Sequence, residues 1–346
     1  MEQIKRFLTD FGLPRIIIAV YLLVLFMMAP VVGVNLSGAI TDVFVRIGMN
    51  GILVLALVPM IQSGCGLNFG LPLGIIAGLL GATISMDMGY VGVWGFVFAI
   101  LLSQLFGAVF GVGYGALLNR VKGGEMMIAT YVGFSSVMIM CIAWLTLPYS
   151  NPVMVWGYAG EGLRSTISVE YYWLHILNNF LSFQIAGIKF PTGSILFFIF
   201  MSFLIWAFFR LKIGTAMTAV GSNLFFAKAS GINVNKMRTI SVMLSTMLGA
   251  MGIIIYQQGF GFIQLYEGPF MMAFPAVAAI LIGGASVNKA TLTNVFLGVA
   301  LYQGILIITP LVLNAVLKTD MSDVIRILVS NGMILYALTR KTKVMK

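Results

Sequence analysis

Apolar residues fall along this chain in runs of about twenty, divided by short polar or glycine-rich stretches, and within the runs they do not alternate with period two. At 1.5 Å rise per residue, roughly 20 apolar residues are needed for a helix to cross ~30 Å of hydrocarbon, whereas barrel strands alternate over about ten. The pattern predicts an all-α, polytopic membrane protein, a single transmembrane domain over 1–346. Its ten spans are expected near 14–34, 47–63, 70–86, 90–118, 126–147, 191–210, 238–258, 273–287, 291–313 and 323–339. The first run, Ile16 to Val34, follows basic residues but is too long for a cleaved leader and lacks a small-residue cleavage site.

Two stretches interrupt this pattern. SGCGLNFGLP, from Ser63 to Pro72, sets glycines and a proline around Asn68, and IGGASVNKAT, from Ile282 to Thr291, is likewise small and polar. Neither suits an unbroken helix. Broken backbone at membrane depth is tolerated only against protein or a water-filled cavity. The stretches lie in different halves of the chain, and a five-span offset between halves would make them opposite in topology, a plan with broken or re-entrant helices and a solute site between the halves.

Composition strengthens the membrane assignment: 60% of the 346 residues are hydrophobic and 9% charged, too few charges for a soluble surface. The formal charge of +10 is explained by topology rather than by nucleic-acid binding. Most lysines and arginines cluster on one side of the predicted spans: Lys5, Arg6 and Arg15; Arg120 and Lys122; Arg210 to Arg238; Lys289; and Arg340 to Lys346. By the positive-inside rule that side is cytoplasmic and both termini are cytoplasmic. Residues 148–190 then form an external loop rich in Trp and Tyr, suited to the interface or to capping a pore, and 211–237 form a cytoplasmic segment.

Candidate chemistry is sparse. Cys65 and Cys141 read as packed thiols, His175 as an exposed loop residue, and no metal-ligand spacing, catalytic triad or phosphate-cradling loop with lysine occurs. The predicted hydrocarbon zone holds almost no ionisable side chain, whereas an ion-driven carrier keeps one for coupling. Neutral polar and aromatic residues remain as a candidate solute pathway: Gln62, Asn68, Phe69, Thr130, Tyr131, Gln257, Gln258, Phe260, Asn294 and Gln303. Hydrogen bonding and stacking by such groups suit a small neutral, polyhydroxylated or heteroaromatic solute. The same amides and hydroxyls also serve as glue between helices, and Gly74/Gly78 and Gly107/Gly111 read first as close packing. The residues alone leave open an ion-coupled secondary transporter or channel acting alone.

The stretch TAMTAVGSNLFFAKASGINV, Thr215 to Val234, holds a short helix-compatible run, Asn223 to Ala229, stopped by Ser230-Gly231. A compact helix between two spans can dock in a partner and act as a lever. Ala219, Val220, Gly221, Ser222 and Asn223, then Ala227, then Ser230, Gly231 and Ile232 resemble the coupling segment of permeases in the bacterial ABC importer family for simple sugars, nucleosides and branched-chain amino acids. GLNFG at Gly66 to Gly70, GGEMMIAT at Gly123 to Thr130 and AILIGGAS at Ala279 to Ser286 extend the resemblance over most of the chain, with a lean toward the sugar and nucleoside branch. Leu71 and Pro72 replace the acidic and glutamine residues usual in nucleoside-type members, and Phe226 stands where the wider superfamily often has Glu. The resemblance implies a non-enzymatic subunit in the bacterial inner membrane. It implies ATPase subunits that bind ATP and Mg, a second permease subunit, identical or homologous, and an extracytoplasmic solute-binding protein, with no cofactor on this chain.

Overall fold

The computed structural model describes residues 13–121, 123–156 and 162–318, together with Val324, Ile327, Leu328 and Gly332. Apart from those four positions, the tenth predicted span, 323–339, lies outside the described residues, as do Lys5, Arg6, Lys122, Tyr158 and the basic residues Arg340 to Lys346.

The apolar runs form helices α1 (Leu13–Met28), α2 (Leu36–Leu55), α3 (Leu57–Gln62), α4 (Leu71–Asp87), α5 (Gly92–Arg120), α6 (Glu125–Thr146), α7 (Ile176–Asn179), α8 (Thr192–Arg210), α9 (Lys212–Ser222), α10 (Leu224–Ala229), α11 (Val234–Phe260), α12 (Gly268–Ile282) and α13 (Leu292–Leu317). Four three-residue strands join them: β1 (Thr166–Ser168), β2 (Phe183–Ile185), β3 (Ile188–Phe190) and β4 (Phe262–Gln264). Among the described residues six helices are long and apolar enough to cross a membrane, counting α2 and α3 as one, and α1, α4 and α12 are shorter apolar helices.

Several boundaries differ from the sequence expectation, the first span ending at Met28 rather than near 34. The second span starts at Leu36, not near 47, because Asn35 caps it by accepting from the Gly38 amide, so the polar turn holding Ser37, Thr41 and Asp42 is helical. The eighth starts at Gly268, with Pro269 in its first turn, and ends at Ile282. The two broken stretches also relate differently from the inverted pairing expected of them. They meet at one end of the bundle, where the Gln62 amide donates to the Ala290 carbonyl.

α5 and α11 form the centre. Gly107, Gly111 and Gly115, one turn apart on α5, lie against the backbone of Met247, Met243 and Thr239 on α11. A methyl at Gly111 would sit 2.6 Å from Met243 Cα, so small residues set this helix spacing. Residues 147–156 and 162–191 gather at the opposite end of the bundle from α9 and α10. There β1 pairs with β4, and the Asp87 carboxylate at the end of α4 accepts from the Ser150 and Asn151 amides at 2.9 and 3.0 Å. Asn151 adds bonds to the Met86 carbonyl and the Tyr172 hydroxyl, while Tyr172 and Trp173 are buried. This loop end is therefore stapled to the helices. His175 is half-buried rather than exposed, in the left-handed region, with its amide donating to Gln258 O.

Candidate functional site

The segment between α3 and α4 is the hub. Cys65 to Asn68 run through the bundle rather than over its surface, with Cys65, Leu67 and Asn68 buried, while Gly64 before them is exposed. The segment's polar groups are met by side chains from α5 and α11. The Ser241 hydroxyl donates to Ser63 Oγ at 2.6 Å, Asn68 Nδ2 donates to Ser245 Oγ at 2.8 Å, and the Tyr114 hydroxyl donates to Asn68 Oδ1 at 3.1 Å. Ser245 in turn donates to the Ala56 carbonyl at the joint between α2 and α3. The segment's backbone is bonded within the chain as well, the Cys65 amide donating to the Met60 carbonyl and the Phe69 amide to the Leu67 carbonyl, as a hydrocarbon environment requires.

The lever-like segment rests directly on this hub. α9 ends at Ser222, and the Asn223 side chain caps α10 by accepting from the Phe226 amide. Ser230 follows and Gly231 takes φ +76°, the helix stop expected from the sequence. Ala227 and Val220 are buried together with Val234 and Met237, which fixes α10 onto α11, while Phe225 and Phe226 project outward. Gly221 meets Gly64 backbone to backbone: a methyl built on Gly64 would lie 3.0 Å from Gly221 Cα. The close packing therefore belongs to Gly221, whereas Gly231 has open space around its missing side chain.

A buried ion pair lies beside this contact. Arg238 Nη2 reaches Glu125 Oε1 at 2.5 Å, with the two side chains 8% and 18% exposed, and Arg238 Nε donates to Cys65 Sγ at 3.2 Å. The pair ties the first residue of α6 to α11 and to the hub. An adjoining cleft of about 320 Å³ is lined by Lys228 and Leu224 of α10. No cluster that could hold a metal ion occurs among the described residues.

From the hub an aromatic ladder leads toward the loop end. Phe69 faces Phe274 (ring centroids 6.4 Å), Phe274 faces Phe134 (6.3 Å), and Phe134 faces Phe270 (4.8 Å). Phe270 and Phe274 are one turn apart on α12, and Phe134 projects from α6 on the flank that also exposes Tyr131 and Ser135. α6 is the least buried of the six long helices, with 17% of its most apolar stretch covered by the chain, against 61% for α11 and for α13.

The predicted pathway residues thus divide. Phe69 begins the ladder, and Thr130 and Tyr131 lie within about one turn of Phe134 on α6. Asn68 and Gln258 are bonding partners within the core, the latter joining Leu177 N, Asn178 and Ser194. Asn294 caps α13 with Thr291 and donates to the Gly283 carbonyl at 2.7 Å. Gln62 holds the two broken stretches together. Gln257 is fully buried with neither amide atom bonded to protein, and the Gln303 oxygen is likewise unpartnered. Phe260 lies with Tyr256 and Phe262, away from the ladder. Phe134, Phe270 and Phe274 were not singled out from the sequence; the one-turn spacing of the last two was the available signal.

The family of the branched-chain amino acid transport system permease component matches residues 39–330. The chain belongs to this family. Among similar proteins is the autoinducer 2 import system permease protein LsrC of Klebsiella pneumoniae, 34% identical over 95 residues, 27% of each chain. The LsrC of an Enterobacter species is 32% identical over 111 residues, 31% of this chain and 32% of the relative. The chain therefore spans about a third or less of the length of the curated relatives it matches. An inward-facing metal-chelate type ABC transporter aligns over 94% of this chain and 98% of that one, at a TM-score of 0.45 and 13% identity. As a member of this permease family, with six helices long and apolar enough to cross a membrane among its described residues, this is a multi-pass membrane protein.

Proposed function

We propose that the chain is the pore-forming permease subunit of an ATP-driven importer in the bacterial inner membrane, and that it passes a small neutral solute, a simple sugar or nucleoside-like molecule. The observation that carries this reading is the seat of Gly221 on Gly64, which joins an outward-projecting helical lever to the segment whose Phe69 begins the ladder. Movement of α9 and α10 by docked ATPase subunits, which bind ATP and Mg, shifts the hub and with it the pathway. The loop end faces outward toward a solute-binding protein, the lever end and both termini face the cytoplasm, and a second permease subunit covers the thinly buried α6. The aromatic faces, with Thr130, Tyr131 and Ser135 beside them and no charged group on the ladder, suit stacking and hydrogen bonding to an uncharged solute. The naming of the relatives as import permeases supports the direction. Within the two halves, α4 and α12 are counterparts: each is short, carries Pro in its first turn and starts from an irregular segment at opposite ends of the bundle.

Reconstitution tests this. Uptake into liposomes is expected to need ATP, the ATPase subunits and the binding protein; uptake by the chain alone under an ion gradient would favour the self-contained carrier instead.

A further inference from the structure

The hairpin of β2 and β3 at the loop end has two chemically different faces. Its register pairs Phe183 with Phe190 and Ile185 with Ile188 on one face, and Gln184 with Lys189 on the other. The apolar face is covered only at its base: Phe190 stacks between Phe183 and Phe44 of α2, with ring centroids 5.0 and 4.9 Å away. Toward the turn that cover runs out. Ile185 is 61% exposed, and Leu181 just before the hairpin is 64% exposed.

The hairpin is held in place rather than loose. The Lys189 amide donates to Thr41 Oγ1 at 3.0 Å, and the Gly193 amide of α8 donates to the Phe180 carbonyl. Gly187 and Ala186 turn the chain with φ of 80° and 51°. It stands where α8 begins, and the exposed apolar flank of that helix starts one turn on, at Leu196. The uncovered face is therefore continuous with surface that belongs to hydrocarbon, and its edge bears one lysine, the arrangement by which amphipathic elements settle at the headgroup layer.

We propose that the β2–β3 hairpin is a membrane-interface anchor, with Leu181, Phe183 and Ile185 inserted among the lipids of the leaflet at the loop end and Gln184 and Lys189 facing water and headgroups. The partner is lipid, not a protein, and the proposal needs only that the chain spans a bilayer.

Spin labels read this directly in the full chain, reconstituted in phosphatidylcholine and phosphatidylglycerol vesicles, with Cys141→Ala removing the half-buried native thiol. Ile185→Cys and Gln184→Cys are compared with a water-soluble nickel complex on both sides of the bilayer and with oxygen. The expected result is loss of nickel broadening at 185, with oxygen broadening kept, and full nickel broadening at 184. Nickel broadening at 185 equal to that at 184 would place the face in water and overturn the anchor. Shielding of 185 from both reagents would show protein cover, such as a second copy, and overturn it equally. Leu181→Cys gives the same reading if Ile185→Cys does not fold.

Discussion

Replacing Gly221 with alanine puts the lever to a quantitative test. A methyl at this position falls 2.8 Å from Gly64 N, and still closer to the Gln62 carbonyl, where ordinary contact begins at 3.4 Å. Gly64 N alone demands a withdrawal of 3.4 − 2.8 Å, or 0.6 Å, and the nearer Gln62 carbonyl more than that, from the last turn of α9 or from the hub. Overpacking of this kind costs about 1–3 kcal/mol, offset by up to roughly 1 kcal/mol from the better helix propensity of alanine. Insertion and folding are expected to survive, with a modest fall in thermal midpoint. The larger effect is on coupling: in vesicles holding the complete transporter, Gly221→Ala should move less solute per ATP hydrolysed while the ATPase still co-purifies. Gly231→Ala is the control. It carries a left-handed backbone penalty of about 1–2 kcal/mol but no steric neighbour, so solute moved per ATP should stay near wild type. Wild-type coupling in Gly221→Ala, with unchanged stability, would show that the backbone contact transmits nothing.

Further outcomes are expected elsewhere. Glu125→Gln leaves the buried Arg238 charge without its counter-charge and should lower stability by about 1–3 kcal/mol, with Glu125→Gln/Arg238→Met recovering much of the loss in a double-mutant cycle of thermal unfolding. Asn294→Ala removes its half of the capping box of α13 and its bond to the Gly283 carbonyl, and should cost about 1 kcal/mol in the same assay without a separate transport defect; lost transport at unchanged stability would return Asn294 to the pathway. Phe134→Ala and Phe274→Ala should slow uptake while leaving the thermal midpoint almost unmoved, whereas Phe198→Ala in the closed core should cost about 3–5 kcal/mol of stability. Equal destabilisation by all three would make the ladder mere packing.

The membrane fold was legible because hydrocarbon imposes length and apolarity on each helix, so the spans near 90–118 and 126–147 fall within a few residues of α5 and α6. The start of α2 was not, because a polar first turn held by the Asn35 cap carries no apolar signal. The end of the lever was readable from Asn223 and Ser230-Gly231, whose roles are local. Gly221 stood in the same motif, yet its tight partner lies 157 positions away, and no local pattern ranks it above Gly231. The amides divided for a similar reason. Asn68, Gln258 and Asn294 have the chemistry of solute ligands, and only three-dimensional neighbours such as Tyr114, Asn178 and Gly283 reveal that their bonds are already taken. The ladder joins α4's approach, α6 and α12, so its phenylalanines are scattered in sequence.

The Asp87 bonds to Ser150 and Asn151 have a mechanical corollary. With α4 clamped at that extremity and the lever's contact at Gly64 lying at the other, a push from the lever has its pivot near Asp87 and its longest arm near Gly64. Distances measured between labels on α4 and α5 beside Asp87 should stay nearly constant through the ATP cycle, while those near Gly64 should swing.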